Sequence, residues 1–445
     1  MNTKTHGDYP NPAYSWYVVV ILFLAYTVAY IDRQIMALLI EPIKRDLGIN
    51  DTQISLLHGF AFVIFYTIAG IPLGRLADRR NRRFIISAGI FLWSIMTAVC
   101  GLARNFWSLF LARIGVGVGE ACLSPAAYSL IADYFPKHKR GMAISFYAMG
   151  IYAGAGLAYI VGGLVIQLAA GAHEIMLPLI GQVRPWQLTF FIVGIPGLVI
   201  VVIMLATVRE PPRRDILTLV DGSPDHLSLR ETGAYFLSHW PTYSTLFIGF
   251  ALEATLTYGY FAWTPSMFIR TFGWTASEIG FAFGCLVAIV GTAGIILGGM
   301  ASDRFVAKGR PEAYIIVSMA SIVGVVVFGV AALLMPSAKL ALLFLAPTVC
   351  CLGVHVGQAP AAVNYITPNQ LRGQAIAIYI FVVALMGMSL GPTTIAVITD
   401  YGFRDPQAVR YSMIFFTLIF SSLAFMLLSL GLKPYKDSLN RMQEK

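Results

Sequence analysis

Long apolar runs broken by short polar turns set the rhythm of this chain from residue 15 to residue 432. The runs fall at roughly 15–40, 53–76, 84–103, 106–131, 140–168, 186–208, 242–269, 276–301, 312–335, 338–363, 374–399 and 410–432. Each holds about 20 or more mostly apolar residues, enough for a helix to cross a hydrocarbon core of about 30 Å. In lipid every backbone N–H and C=O must be bonded within the chain, so such runs form helices. The pattern predicts an all-α integral membrane protein with about twelve transmembrane helices.

The longest polar interruption, 209–241, opens on Arg209-Glu210-Pro211-Pro212-Arg213-Arg214 and separates two groups of about six spans. The expected organisation is an N-terminal six-helix bundle over 1–208, a cytoplasmic linker over 209–241, and a C-terminal six-helix bundle with a cytoplasmic tail over 242–445. Within the linker, Ser228-Leu229-Arg230-Glu231 has capping-box spacing ahead of Tyr235, Phe236 and Leu237. That suits either a short interfacial amphipathic helix or a plain turn.

The two halves echo one another. After the second span comes Gly74-Arg75-Leu76-Ala77-Asp78-Arg79, and after the eighth comes Gly299-Met300-Ala301-Ser302-Asp303-Arg304, both Gly-x-x-x-Asp-Arg. Before the fifth span comes Arg140-Gly141-Met142-Ala143, and before the eleventh Arg372-Gly373-Gln374-Ala375. Two shared signatures in the same order point to an internal repeat with pseudo-two-fold symmetry.

Composition agrees: of 445 residues 58% are hydrophobic and 12% charged, with a mean hydropathy of +0.74, outside the range of soluble domains. The formal charge of +9 could suggest nucleic acid, so its distribution decides. With the N-terminus inside, about 21 Lys and Arg fall on the cytoplasmic side and about 8 outside. This is a topology signal, with both termini cytoplasmic in a cell (plasma or inner) membrane. Acidic lipid headgroups suffice as partners for the basic loops, with no nucleic acid. The first run is too long for a signal h-region and lacks an A-x-A-like site, so it is expected to be retained. Cys100, Cys122, Cys285, Cys350 and Cys351 all fall in predicted spans without metal spacing, so no metal, cofactor or disulfide framework is implied. No phosphate loop or His-Glu-x-x-His occurs, and the one Gly-x-Ser-x-Gly, at 387–391, falls within an apolar run, which argues against an ATP-driven pump or an enzyme.

Four charges interrupt the apolar spans: Asp32 and Arg33 in the first, Arg113 and Glu120 in the fourth. A charge at the bilayer centre costs roughly 2.5–3.5 kcal/mol, so four unpaired ones would cost about 10–14 kcal/mol, comparable to the stability of a domain. They must be paired, hydrated or both, as a substrate or ion pathway or as a salt bridge that locks helices together. Arg113 and Glu120, seven residues apart, lie nearly on one face about 10 Å apart, near Gly117 and Ser124. Counted along their helices, Asp32 and Arg113 each fall about 10 Å below the outer surface, an expected depth-matched pair, with Glu120 nearer the middle. Arg33 has no assigned partner. Burial favours a neutral carboxyl and a nearby arginine an ionised one, so protonation can follow conformation. Glu120 and Asp32 are the proton-carrier candidates.

Gly74 to Arg83, with Asp78-Arg79 and the basic pair Arg82-Arg83, resembles the loop motif between the second and third helices of the major facilitator superfamily. A glycine there allows close helix approach, while Asp78 can cap a helix or pair with an arginine in one conformation and release it in the other. Five arginines in this loop also enforce topology. Tyr30-Ile31-Asp32-Arg33, the run Arg113-Ile114-Gly115-Val116-Gly117-Val118-Gly119-Glu120 and the Asn81-Arg82-Arg83 ending narrow the resemblance to the Spinster family of lysolipid and sphingolipid transporters. Asn81 stands where the generic motif usually has glycine, which separates Spinster from organic-anion relatives. Ala29 stands where many Spinster members carry asparagine. The resemblance implies a proton-coupled carrier of alternating access, moving an amphiphilic lipid such as a lysophospholipid or sphingoid phosphate and acting as a monomer. The alternative is a proton-linked symporter of small organic anions.

Further polar groups sit within the spans: Glu253, Tyr258, Tyr260 and Trp263 in the seventh, His355 and Gln358 at i, i+3 in the tenth. With Tyr30 they form a candidate substrate-cavity lining of apolar faces and polar tips, each residue alone being equally suited to packing. Gly150, Gly154, Gly156, Gly162 and Gly163 in the fifth span are explained by close helix packing.

Overall fold

The computed structural model describes residues 9–170, 175–177, 181–213, 229–368 and 371–443. Each of the twelve predicted spans overlaps one long helix. They are α1 (Pro12–Leu38), α2 (Asp51–Gly70, continuing as helix to Arg79), α3 (Arg82–Cys100), α4 (Phe106–Tyr134), α5 (Lys139–Leu168) and α6 (Pro185–Thr207) in the first half. In the second half come α7 (Trp240–Phe272), α8 (Ala276–Val306), α9 (Ala313–Leu334), α10 (Ala338–Ile366), α11 (Arg372–Phe403) and α12 (Pro406–Asn440). The linker forms a helix at Leu229–Ser238 whose Tyr235 and Phe236 pack on the C-terminal bundle; Ser228 lies outside the described residues. A two-stranded hairpin, Ile175–Leu177 with Gly181–Val183, precedes α6.

Helix starts are written in local polar residues. Asn50 accepts from the Gln53 amide at 2.8 Å while the Gln53 side chain accepts from the Asn50 amide, and Asn105 with Ser108 and Thr275 with Glu278 do the same for α4 and α8. Asn81 accepts from the Phe84 amide at 3.2 Å, so it caps α3.

Eleven of the helices are apolar enough throughout to be recognised as spans by hydropathy, and α7 is the exception. It is also the longest interior helix, with 23 of 33 residues buried, among them Tyr243, Glu253, Thr255, Thr257, Tyr260 and Thr264. A helix surrounded by protein has no need of a greasy exterior, so its polar content marks its place in the bundle.

The halves form two six-helix bundles that meet at one end. There α5 lies on α8 so closely that a Cβ on Gly156 would sit 2.7 Å from the Gly284 carbonyl oxygen, and one on Gly280 2.5 Å from that of Tyr159. On the opposite flank a Cβ on Gly59 of α2 would collide with the Met388 carbonyl of α11. Polar groups seal the same end: Arg270 at the end of α7 binds both oxygens of Asp51 at 2.7 Å and Glu41 at 2.8 Å, while Asp400 of α11 accepts from the Thr52 amide and hydroxyl at 2.6 and 2.7 Å. At the end carrying the Arg79–Arg83 segment the bundles stand apart. A Cβ on Gly70, Gly141, Gly299 or Gly373 would meet nothing within 4 Å, and one on Gly74 would make only an ordinary contact with Pro125 of its own bundle. The expected close approach at Gly74 is therefore not made in this conformation. The molecule is open at its basic end and closed at the other.

Candidate functional site

The four charges of the first and fourth spans, Asp32, Arg33, Arg113 and Glu120, converge between α1, α2, α3 and α4, all at most 5% exposed. Arg33 forms an ion pair with Glu120. Its guanidinium carbon lies 4.7, 4.5 and 5.4 Å from the ring centres of Tyr30, Phe62 and Tyr66. Arg113 approaches the same Phe62 ring at 5.5 Å, so two guanidinium groups share one aromatic ring. A Cβ on Gly117 would lie 2.3 Å from the Phe62 carbonyl oxygen, so glycine at that position lets α2 close on α4 and hold Phe62 in place.

The expected pairing of Asp32 with Arg113 is not formed. Asp32 accepts from the Thr97 hydroxyl of α3 at 2.9 Å, while Arg113 donates to the backbone carbonyls of Leu57 and Asp32, both at 3.4 Å. The reason is side-chain direction. Every Cα–Cβ bond tilts toward its helix N-terminus, and α1 and α4 run in opposite directions. Arg33 and Glu120 thus lean toward each other along the membrane normal, whereas Asp32 and Arg113 lean apart. Depth counted by Cα alone misses this.

Toward the open end the site continues as a tyrosine cluster. Tyr26 stacks on Tyr147 at 4.7 Å and meets Tyr30 edge-on at 5.3 Å; Tyr128 meets Tyr147 edge-on at 5.3 Å, and Ser124 lies 3.5 Å from the Tyr147 hydroxyl. Tyr258 of α7 approaches Tyr30 and Arg33 from the other bundle. Phe62, Tyr66, Thr97, Tyr26, Tyr128 and Tyr147 were not among the sequence candidates. For Tyr26, Phe62, Tyr66 and Tyr128 a signal is present as i, i+4 spacing: Tyr26 with Tyr30, Phe62 with Tyr66, and Ser124 with Glu120 and Tyr128.

Of the predicted cavity lining, Tyr30 and Tyr258 belong to this site and the rest do not. Tyr260 is wholly buried, its hydroxyl 2.9 Å from that of Thr417 in α12, and Trp263 donates to the Pro392 carbonyl at 2.9 Å. Successive residues on a helix turn by 100°, so Tyr258 and Tyr260 cannot share a face. Gln358 accepts from Ser302 of α8, and Glu253 and His355 lie between α7, α9 and α10.

The basic-loop residues divide by role. Arg82, fully buried, pairs with Asp133 at the end of α4, donates to Glu210 at 2.7 Å and bonds Ser129 and Pro211, while the Arg83 amide donates to Glu210 at 3.1 Å. They tie α3, α4 and the start of the linker into one unit. Arg79, Asp303 and Arg304 are exposed, and the side chain of Asp78 lies outside the described set. Arg140 donates to the Phe135 carbonyl at 2.9 Å and Arg372 to the Asn364 and Thr367 carbonyls at 3.0 Å. In both halves the arginine of the repeated Arg-Gly pair thus ties off the end of the helix before it.

The profile of the Major Facilitator Superfamily matches residues 22–392. The chain belongs to the major facilitator superfamily. Within it the chain stands near the Spinster family. A solved bacterial homolog of the human lysosomal transporter Spinster, in an inward-facing and unoccupied conformation, superposes with a TM-score of 0.80 at 28% identity, covering 96% of this chain and 99% of that one. Protein spinster homolog 1 of Xenopus tropicalis is 28% identical over 86% of this chain and 72% of its own. Other facilitators are similar too: an MFS-type efflux pump of Mycolicibacterium smegmatis, 26% identical over 89% and 87%, and a probable galactarate/D-glucarate transporter of Bacillus subtilis, 30% identical over 66% of each. As a facilitator the protein is a multi-pass membrane transporter and not an enzyme.

Proposed function

We propose that this facilitator is a proton-coupled secondary transporter in which Glu120 and Asp32 carry the proton. The observation that carries the reading is the buried Arg33–Glu120 pair at the head of a tyrosine-lined face that opens toward the basic end. Asp32 Oδ1, Arg33 Nε, Arg113 Nη2 and Glu120 Oε1 each lack a protein partner. A bridge that served only to lock helices would saturate such groups, since an unmet buried polar atom costs about 1–3 kcal/mol. Unmet groups suit a site that exchanges partners. Protonating Glu120 releases Arg33 to meet an anionic headgroup, and the loss of that ion pair lets the bundles re-pack. The basic end is taken as cytoplasmic, which sets both termini in the cytoplasm of a cell-membrane protein, acting as a monomer.

The cargo proposed is an amphiphilic lipid of lysophospholipid or sphingoid type, whose headgroup suits Arg33 and Arg113 and whose chain suits the Phe62 and tyrosine faces. A second reading, a small organic anion moved with a proton, is favoured by the sugar-acid relative. Proteoliposome uptake of a lysolipid and sugar-acid panel, with and without an imposed pH gradient, separates them. Glu120→Gln is expected to keep exchange but to lose most of its dependence on the gradient. Full gradient dependence in that variant removes the proton role from Glu120.

A further inference from the structure

Glu253 lies about 20 Å along α7 from Trp240, inside the C-terminal bundle and away from the Arg33–Glu120 pair. It is 4% exposed, and neither carboxyl oxygen makes a hydrogen bond of full geometry, with the Ser318 hydroxyl alongside. It borders a small cavity whose other walls are Leu256 of α7, Ser321, Ile322 and Val325 of α9, and Cys351, Leu352 and His355 of α10. The ionisable groups facing it are His355 and Cys351 of α10 and Tyr379 of α11, while α9 brings only the hydroxyls of Ser318 and Ser321. No described lysine or arginine pairs with it.

A bare carboxylate in this place would lose its hydration with nothing to replace it, a cost that one proton removes. His355 Nδ1 sits 2.9 Å from the Leu352 carbonyl, which only accepts, so Nδ1 carries the ring hydrogen and Nε2 keeps its lone pair. The cavity has room for about one water, enough to join an acid O–H on one wall to an imidazole acceptor on another. We infer that Glu253 is a second proton-binding site, housed in the C-terminal bundle and loaded in the conformation seen here. On release the carboxyl O–H bond breaks and the proton passes to water, with His355 Nε2 as an acceptor on the facing wall.

This deepens the reading of the protein as a proton-coupled carrier, but it depends on different residues and has its own readout. Infrared difference spectra of the full-length protein in lipid nanodiscs, titrated with pH, report the carbonyl band of protonated carboxyl groups. Glu253→Gln, which copies the shape of the neutral acid, is expected to lose one such band present at neutral pH. Glu253→Asp should shift that band and Asp32→Asn and Glu120→Gln should leave it in place. His355→Gln should keep the band but move the pH at which it disappears. An unchanged neutral-pH band in Glu253→Gln overturns the assignment. So does loss of the wild-type band on adding sodium, which would make the cavity a cation site. Gradient-dependent uptake by Glu120→Gln is decided separately, so a failure there does not imitate a failure here.

Discussion

Arg82 and Arg33 are both arginines buried against carboxylates, yet they do opposite things. Arg82 makes five polar contacts to Asp133, Glu210, Ser129 and Pro211. Arg33 meets one carboxylate and three aromatic faces, and leaves its Nε unmet. A saturated buried pair is rigid, and removing one partner strands the other at a cost of about 3–5 kcal/mol. Arg82→Ala should therefore lower the apparent melting temperature of the detergent-purified protein by far more than Arg79→Ala, whose side chain is exposed; equal melting shifts would refute the structural role. Arg33→Ala should instead impair transport with a much smaller stability loss, because its neighbours are aromatic and Glu120 can accept a proton. The two positions look alike as letters in a sequence, and only the partners that converge on them separate a clamp from a switch.

The helices follow from solvent alone: a bilayer accepts no unbonded backbone, so runs of apolar residues had to be helices and the breaks had to be loops. That logic reaches every span, including α7, whose polar residues disqualify it by hydropathy but mark an interior helix. It does not reach the rotation of each helix about its own axis. Depth alone pairs Asp32 with Arg113, and apolar faces with polar tips group Tyr258, Tyr260 and Trp263 on one helix, when helix direction and the 100° turn per residue dictate otherwise. The glycines of the helices show the same limit. Gly74, Gly299, Gly141 and Gly373 stand in open space, whereas Gly156, Gly280 and Gly284 are pressed between α5 and α8. Their positions in the repeat are legible in the sequence, but which set is in contact depends on conformation. A Cβ at Gly284 would lie 2.6 Å from the Gly156 carbonyl oxygen, so Gly284→Val must part α5 from α8 at the closed end. Spin labels on the exposed Leu168 and Phe281 should report a longer distance in that variant, and an unchanged distance in Gly299→Ala. A distance that does not move in Gly284→Val would mean the contact does not hold the end shut.

At the scale of the whole molecule, the closed end is a latch between bundles, and its strength sets how often the protein opens the other way. Arg270 belongs to the C-terminal half, while Asp51, Glu41 and Lys44, which pairs with Asp51, belong to the N-terminal half. Asp400 caps the N-terminus of α2 from the opposite bundle, placing a negative charge where free amides and the helix dipole favour it. These contacts exist only while the bundles meet. Their free energy therefore counts entirely toward one conformation and shifts the equilibrium by its full amount. In the open state the same groups recover water, so the net worth of the bidentate Arg270–Asp51 pair is a fraction of its Coulomb energy. A value of about 2 kcal/mol, in the range of a hydrogen bond to a charged group, corresponds to roughly a 30-fold change in the population ratio. Arg270→Gln and Asp51→Asn should each raise labelling of cysteines introduced at that end by an impermeant thiol reagent. Because the residues act as one unit, the double variant should show little more than either single change. Additive increases would mean that the two residues hold the bundles through separate contacts, and no increase would mean that helix packing at Gly59, Gly156 and Gly280 keeps the end closed without them.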